Sequence, residues 1–386
     1  MRFAFTEQQL ELRAAVHQVL ERECTPGDLR AIAAAGPAER PGHPAAGRSA
    51  ERWAVLSELG APGLMVAADR GGLGLTEVDL VGLAEEAGWA ALPEPLLESA
   101  ALAAPLLAGA ASLAGDGSEA SKVAGPWLAS MATGDLVATV GGVELTAAGL
   151  VSTTDEGVAG GGAARTARVV GATRAGLCLL AREVLGEGWQ VHAVDDVRVT
   201  ATPSIDGTRD LGTVEWVPSA HNVVASGAQA EELLAAMADR AALCAAAQLL
   251  GLSARMLSMA ADYAKERQQF GKPIGSFQAV KHLLAGARVR LEFAAPATYR
   301  AADSLARELA NRSAHVSMAK SLASDAADMA ARAALQVHGA IGYTWECDLH
   351  LYLKRAWALS AAWGDAPTHR ARVLDAVLAS PTRSIG

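Results

Sequence analysis

The sequence predicts a mostly helical protein with a small β-domain in its middle. Three observations lead to this prediction. Apolar residues recur at helical spacing in the first part of the 386-residue chain, short β-branched runs follow, and helical spacing then returns. The composition is 51% hydrophobic and 19% charged, with only 4% aromatic residues, which is typical of a globular and helix-rich chain. We therefore expect helices, then strands, then helices.

The first region, residues 1–122, is predicted to be helical. Thr6 is a candidate N-cap with Glu7 in the first turn, and Leu10, Leu12, Val16 and Leu20 follow at helix-like intervals. Residues 36–47 contain three prolines and are predicted to form a loop. Another amphipathic helix is expected to begin near Trp53 and to end at Gly60.

The second region, residues 123–222, is predicted to form the β-domain. Its short apolar runs are separated by Gly and Asp, and they read LVATV, ARVVGA, GLCLLA, WQVHAV, VRVTA and TVEWV. The glycine-rich run from Gly157 to Arg165 lacks a phosphate-binding motif and is predicted to be a flexible loop. The third region, residues 223–386, is helical again, with breaks expected at residues 271–276, 339–344 and 364–367.

Composition and spacing argue against several classes of function. A net charge of -9 does not suit a general nucleic-acid binder, because phosphate recognition needs clustered Lys and Arg. The four cysteines are isolated and the histidines do not cluster, so neither disulfides nor a metal site is expected. The N-terminus has no signal-peptide pattern, and no run of about eighteen apolar residues is free of charges and turn formers. A cytoplasmic protein without a membrane span is expected.

Two stretches of the C-terminal region carry a family resemblance. RQQFGKPIGSFQAVKHLLA, from Arg267, resembles the segment R-x-x-F-G-x-x-I-x-x-F-Q of the acyl-CoA dehydrogenases. QVHGAIGYTWECDLHLYLKRAW, from Gln336, resembles that family's Q-x-x-G-G-x-G-[YF] block. The N-terminal stretches TEQQ, WAVLSELGAPGLMV and RGGLGLTEVDLVGLAEEAGWAALPEP resemble its opening helices. The matches follow the family order over about three quarters of the chain.

The resemblance implies a fold, a cofactor and a set of binding residues. The fold would consist of an N-terminal helical domain, a middle β-barrel and a C-terminal four-helix bundle, and the cofactor would be FAD. Arg267 and Phe270 match residues that contact the adenosine diphosphate part of a flavin held by the neighbouring subunit. Gln278 and Gln336 could add amide hydrogen bonds, and Gly339 would allow close backbone approach.

One part of the family pattern is missing from the β-domain. WLASMATGDLVATVGG, from Trp127, matches the approach to a flavin-contacting loop that resembles T-E-P-x-x-G-S-D, but the loop itself does not follow. The chain retains residues that it would donate across an interface and lacks those that it would use itself. This asymmetry resembles actinobacterial members that assemble from two different subunits in an α2β2 complex and act on bulky acyl-CoA esters, such as steroid side chains.

The candidate catalytic base departs from the family's commoner pattern. Removing the α-proton of an acyl-CoA requires a carboxylate. At the family's commoner base position, in the stretch AWGDAPTHR, Gly364 replaces the glutamate and Asp365 is one residue out of step. At the alternative position, Asp239 precedes Arg240. Two hypotheses stay open: Asp239 is the base, or it is an exposed or helix-start acid in a reduced, non-catalytic subunit whose partner supplies the base.

The sequence therefore predicts a subunit of an FAD-dependent acyl-CoA dehydrogenase. It would form an α,β double bond in an acyl-CoA with a second related chain and pass electrons to an electron-transfer flavoprotein. A self-sufficient homo-oligomer that uses Asp239 is one alternative. A catalytically inactive partner that completes the flavin site of a true dehydrogenase subunit is the other.

Overall fold

The computed structural model of the chain describes residues 4–35, 49–115, 119–156 and 163–379. The loop predicted at residues 36–47 lies outside these ranges, and so do residues 157–162 of the predicted loop from Gly157 to Arg165. The last two residues of that run, Ala164 and Arg165, belong to a strand and not to a loop. The described residues fall into two compact units. One comprises those within 1–80, 91–145 and 149–241, and the other those within 81–90, 146–148 and 242–386. The three-domain division into 1–122, 123–222 and 223–386 stays a prediction.

Within the described residues, six α-helices precede the first strand: α1 (Glu7–Glu23), α2 (Pro26–Ala35), α3 (Ala50–Glu58), α4 (Glu77–Trp89), α5 (Ala104–Ala114) and α6 (Glu119–Thr133). The predicted N-cap of α1 is confirmed. Thr6 Oγ1 accepts a hydrogen bond from the Gln9 backbone N–H, and the Gln9 side-chain oxygen accepts one from the Thr6 N–H. The helix predicted around Trp53 is α3, and Gly60 follows it at a φ of 73°.

In the part of the β-region that the structure describes, there are ten strands: β1 (Ala138–Gly141), β2 (Val143–Thr146), β3 (Gly149–Ser152), β4 (Thr154–Glu156), β5 (Ala164–Val170), β6 (Leu177–Val184), β7 (Gly188–Val194), β8 (Arg198–Ala201), β9 (Leu211–Trp216) and β10 (Val223–Ser226). All six predicted β runs lie on strands. The short strands β2, β3, β4 and β10 lie outside these six runs and were not predicted.

Two four-stranded sheets face each other over one core. The strand orders are β1-β6-β7-β10 and β4-β5-β9-β8. Cys178 and Leu180 from the first sheet pack with Val214 and Trp216 from the second. A Cβ at Gly141 would lie 2.6 Å from the Val169 side chain across the gap, so glycine permits this close approach. The predicted fold class, mostly helical with a small β-domain between helical regions, is confirmed.

The C-terminal region consists of α7 (Gly227–Glu266), the hairpin strands β11 (Gln268–Gln269) and β12 (Lys272–Pro273), α8 (Gln278–Ala306), α9 (Arg312–His338), α10 (Leu349–Ala361) and α11 (Ala366–Ala379). The three predicted helix breaks all occur. A fourth break separates α8 from α9, where Glu308 has a φ of 48°. Glycine and proline do not mark this turn, and the sequence therefore did not reveal it. Pro296, in contrast, lies within the continuous helix α8.

Helix α7 stands out among the described helices because it is long and apolar enough to cross a membrane. Of its apolar window, 72% is buried inside the protein. Core helices of globular proteins have this same combination of length, hydropathy and burial. Within the described ranges, no group of three or more His, Cys, Asp or Glu residues could hold a metal ion.

Candidate functional site

The segment after α7 forms a short hairpin that presents Phe270 to solvent. Strands β11 and β12 pair Gln268 with Pro273 and Gln269 with Lys272. The two turn residues, Phe270 and Gly271, have φ values of 53° and 76°, as in the tight turns of β-hairpins. A bulky residue in this conformation is strained by roughly 1–2 kcal/mol, yet the Phe270 side chain is 91% exposed. Burial of Phe270 within this chain therefore does not account for the strain.

The hairpin is held by contacts with its neighbours. The Arg267 N–H donates to the Tyr263 carbonyl and the Arg267 carbonyl accepts from the Ile274 N–H, both at 2.8 Å. The Phe270 ring meets the Phe277 ring edge to face, with centroids 6.1 Å apart. Lys272 Nζ lies 4.5 Å from the centroid of Phe277. These contacts fix the hairpin at the end of α7.

The predicted cofactor-binding side chains all lie at the surface of the unit that contains residues 242–386. Arg267 precedes the hairpin, Gln278 begins α8, and Gln336 lies in the last turn of α9. All three are exposed, and within the described ranges none of their side chains has a hydrogen-bond or ion-pair partner. The guanidinium and the two amides therefore remain available for a ligand. Such donors fit the anionic, hydrogen-bonding ADP part of a dinucleotide.

Gly339 ends α9 in a conformation that favours glycine. Its φ is 66°, and a Cβ at this position would meet no described atom within 4 Å. Glycine is therefore favoured here by the backbone conformation and not by a lack of space, because the space beside its backbone is open. The predicted role of Gly339, close backbone approach to a ligand, is compatible with this open space.

Asp239 lies in the interior of its unit, on α7. It is only 4% exposed, so it is neither the exposed nor the helix-start acid that one hypothesis described. The adjacent Arg240 donates through Nε to Glu77 Oε1 at 2.9 Å, and this ion pair joins α7 to the first turn of α4. A buried carboxylate of this kind suits a general base, but burial alone does not assign the role.

The turn at the commoner base position has a different construction. Gly364 has a φ of 88°, and a Cβ there would lie 2.9 Å from His369 Nε2. A glutamate at this position would be both strained and in conflict with His369. Asp365 Oδ1 accepts a hydrogen bond from the Thr368 N–H at 2.9 Å. This backbone bond is the main cause of the lowered pKa of Asp365, which acts here as a helix cap.

Two buried basic side chains, of which Lys320 was not predicted, hold this turn by its carbonyl groups. Lys320 Nζ donates to the carbonyls of Ser360 and Gly364, both at 3.0 Å. Its ammonium group is fully buried, and burial lowers the pKa of Lys320 to about 7. His369 Nε2 donates to the Trp363 carbonyl at 2.9 Å. Lys320 lies at the spacing of the apolar positions of α9, and this signal could have identified it from the sequence.

Because two histidines are buried, we expect the stability of the protein to fall in acid. Burial is the main cause that lowers the pKa of His369, and likewise of His192 in β7, to about 4. Above pH 6.5 neither the folded nor the unfolded state protonates these rings, whereas below it the unfolded state takes up protons first. The free energy of unfolding should therefore fall between pH 6.5 and 4, by roughly 3 kcal/mol per histidine. Chemical denaturation at a series of pH values measures the decline.

The matched control for this prediction is His369→Gln, whose amide does not titrate. The variant loses stability at neutral pH, but its decline between pH 6.5 and 4 should be smaller than that of the unsubstituted protein by the His369 contribution. Equal declines in the two proteins would show that His369 does not contribute to the acid sensitivity.

Comparisons with known proteins agree with this fold. The family model of the acyl-CoA dehydrogenase N-terminal domain matches residues 6–135, and that of the acyl-CoA dehydrogenase C-terminal domain matches residues 233–378. Together they cover more than two thirds of the chain. The chain belongs to the acyl-CoA dehydrogenase family. Between the two matched regions lies the β-region, where the flavin-contacting loop of the family could not be recognised.

A sequence relative and two solved structures are particularly similar. The acyl-CoA dehydrogenase FadE34 of Mycobacterium tuberculosis is 33% identical over 349 residues, which is 88% of this chain. The chain spans only 44% of that relative's length. The ChsE4-ChsE5 complex from Mycobacterium tuberculosis matches with a TM-score of 0.81 and 25% identity over 99% of this chain and 100% of that chain. A variant of the steroid ACAD Tcur3481-Tcur3483 has a TM-score of 0.74 and 24% identity, over 96% of this chain and 98% of that chain.

Proposed function

We propose that this chain is a subunit of an FAD-dependent acyl-CoA dehydrogenase that works with a second, related subunit. The observation that carries the proposal is the set of exposed and unpaired donors, Arg267, Gln278 and Gln336, at the ends of α7, α8 and α9. The chain offers these donors outward, while the flavin-contacting loop of its own β-region is not recognisable. It therefore completes a flavin site whose other part lies on a partner.

The residues of this chain would contribute binding and orientation. The Arg267 guanidinium can pair bidentately with pyrophosphate oxygens, and the Gln336 amide can donate and accept beside the open backbone of Gly339. FAD, when bound, would supply the acceptor for the hydride that leaves the β-carbon of the acyl group. Phe270 adds an apolar, strained contact at the hairpin tip, where a ring can pack beside a dinucleotide.

An exposed apolar surface supports the presence of a partner. On α8 and α9 it consists of Val289, Phe293, Met318, Leu322 and Met329, all of which are exposed. Helices α8 and α9 run antiparallel, since Ser304 Oγ contacts His315 Nδ1 at 2.7 Å and a Cβ at Gly286 would lie 3.7 Å from Met329 Cε. Large exposed apolar residues on two adjacent helices are typical of a protein interface.

This surface is continuous with the proposed flavin contacts. Gln278 lies eleven and fifteen residues before Val289 and Phe293, and these spacings place all three on one face of α8. Gln336 lies seven residues after Met329 on the same face of α9. A subunit that holds the flavin at the two glutamines would therefore also cover the apolar surface. A second, related dehydrogenase chain would fit this requirement, and the similar ChsE4-ChsE5 structure is itself a complex.

The flavin contact predicts a specific binding defect. Arg267→Ala should weaken FAD binding by roughly 10–100-fold, because a hydrogen bond to a charged group contributes about 1.5–3 kcal/mol. The protein is co-expressed with a second, related dehydrogenase chain, and the FAD dissociation constant is measured by flavin fluorescence. The control is Arg307→Ala, which removes an exposed arginine near the opposite end of α8 and should leave the constant unchanged. Equal FAD affinity in both variants would overturn the proposal for Arg267.

The role of Asp239 can be decided by flavin reduction. If Asp239 is the base, Asp239→Asn should slow reduction by substrate at least about 100-fold, because general-base catalysis contributes about 10²–10⁴-fold. If the partner provides the base, reduction is unchanged. The matched control is Asp239→Glu, which retains the carboxylate but moves it by one methylene group. The buried position of Asp239 favours the first outcome, and the missing family loop favours the second.

The inactive-partner hypothesis has its own signature. The chain alone, the related chain alone and the co-expressed pair are each assayed for a visible flavin spectrum and for substrate-dependent flavin reduction. If the pair is active and Asp239→Asn leaves that activity unchanged, this chain is a completing partner. A homo-oligomer with stoichiometric FAD and full activity would instead show that a second chain is unnecessary.

Three finer features belong to the same proposal. The substrate would be a bulky acyl-CoA, such as a steroid side-chain ester, and the support is the shared fold with a steroid ACAD. Electrons would leave through an electron-transfer flavoprotein. The protein would act in the cytoplasm.

A further inference from the structure

Two rings stack at the junction between the hairpin and the end of α9. Tyr263 lies in the last turn of α7 and His338 is the final residue of α9. Their ring centroids are 4.5 Å apart with an interplanar angle of 22°, which is a stacked arrangement. His338 is only 7% exposed, and its Nδ1 lies 2.8 Å from the Ala334 carbonyl, to which it donates. The imidazole is therefore fixed in orientation.

Each ring belongs to a different one of the proposed flavin-binding segments. The Tyr263 carbonyl accepts the hydrogen bond of the Arg267 N–H, which begins the hairpin. His338 lies between Gln336 and Gly339, two residues after the amide and one before the helix-ending glycine. The stack is thus a direct side-chain contact between a segment that contains Arg267 and a segment that contains Gln336.

Close packing on both sides limits the movement of the two segments. A Cβ at Gly275, just after the hairpin, would lie 2.9 Å from the Ala264 carbonyl, so the chain returns tightly against the last turn of α7. A Cβ at Gly342 would lie 3.0 Å from the His338 Cβ, so the turn after α9 packs against the histidine. The hairpin is anchored next to Tyr263 and the turn is anchored next to His338. Among the described residues, the stack of Tyr263 and His338 is the only ring–ring contact between the hairpin side and the turn after α9.

We propose that the Tyr263–His338 stack is a positioning device that fixes the separation between the Arg267 hairpin and the Gln336–Gly339 turn, so that one dinucleotide can contact both. The inference rests on the proposed function, because that function assigns the dinucleotide. A ligand that bridges two segments binds more tightly when their spacing is set before binding, since less conformational entropy is lost. Tyr263 and His338 position the binding residues without themselves serving as donors to the ligand.

The test separates positioning from folding and from direct contact. Tyr263→Ala, Tyr263→Phe, His338→Ala and Arg267→Ala are each prepared as the co-expressed complex. Three quantities are measured: the FAD dissociation constant, the thermal midpoint, and the amide hydrogen exchange of residues 267–274 without added FAD. Tyr263→Phe preserves the ring and should behave like the unsubstituted protein in all three.

Loss of either ring has a defined expected result. Tyr263→Ala and His338→Ala should each weaken FAD binding on the order of tenfold and should speed exchange in the hairpin. A double variant that combines Tyr263→Ala with His338→Ala, prepared in the same way, should bind FAD about as tightly as either single variant, because the two rings act as one unit. Arg267→Ala, in contrast, should weaken FAD binding and leave hairpin exchange unchanged.

The possible failures are distinguishable. Unchanged hairpin exchange in Tyr263→Ala overturns the positioning role, whether or not FAD binding changes. Faster exchange with unchanged FAD affinity also overturns it, because the spacing then does not matter to the ligand. Absence of FAD binding by the unsubstituted complex would instead refute the proposed function, and the exchange data would then report on the stack alone.

Discussion

Replacing Arg52 with methionine is expected to lower the free energy of unfolding by about 3 kcal/mol, at the lower end of the cost of breaking a buried ion pair. Arg52 in α3 donates through its guanidinium to Glu94 Oε1 at 2.9 Å and to the Glu23 carbonyl at 2.7 Å. The Glu94 side chain is fully buried. Without Arg52, the Glu94 carboxylate retains the more distant Arg174, at 3.7 Å, as an ion-pair partner. Urea denaturation measures the loss.

Two control variants test whether the buried charge causes this effect. Arg52→Lys keeps a cation but cannot reproduce the forked hydrogen bonds, and it should cost about 1 kcal/mol. The double variant Arg52→Met with Glu94→Gln removes the buried carboxylate charge that has lost its hydrogen-bonded partner, and it should recover a large part of the lost stability. A double variant as unstable as Arg52→Met would show that packing of the arginine, rather than the charge, is decisive.

Replacing Gly251 with alanine is expected to destabilise the protein by about 3 kcal/mol, although alanine favours helices over glycine by about 1 kcal/mol. Gly251 lies in α7, where a Cβ would be 1.9 Å from the Glu85 carbonyl oxygen in α4. A Cβ at Gly88 in α4 would likewise be 2.1 Å from the Gln248 carbonyl oxygen. The backbones of these two segments therefore touch directly, and a methyl group would force them apart. Thermal or chemical denaturation detects the change.

The matched control is Gly286→Ala in α8. A Cβ at Gly286 would meet only Met329 Cε, at an ordinary contact distance of 3.7 Å, so mainly helix propensity and the entropy of the unfolded chain change. This substitution should stabilise the protein by about 0.5–1 kcal/mol. If Gly251→Ala also stabilised the protein, this result would contradict the close approach of the α4 and α7 backbones near Gly251.

The two glycines show where reasoning from sequence alone ends. Both lie in helices and have similar local propensities, so the sequence predicts the same stabilising effect for each. The opposite signs arise from residues more than 150 positions away in the chain, since Gly251 meets Glu85. The same limit applied to the turn at Gly364. Its departure from the family pattern was visible in the sequence, but the conflict with His369 required the folded structure.

The sequence by itself determined the order of helices and strands and the capped start at Thr6, because periodicity and caps are properties of neighbouring residues. Its motifs also singled out Arg267, Gln278 and Gln336 as candidate binding residues. Only the tertiary structure decided which groups lose contact with water. It placed Asp239 in the interior, enclosed Lys320, and brought Tyr263 against His338 across 75 residues of chain. Burial and long-range contact depend on how elements pack, and packing is not encoded by any single local pattern.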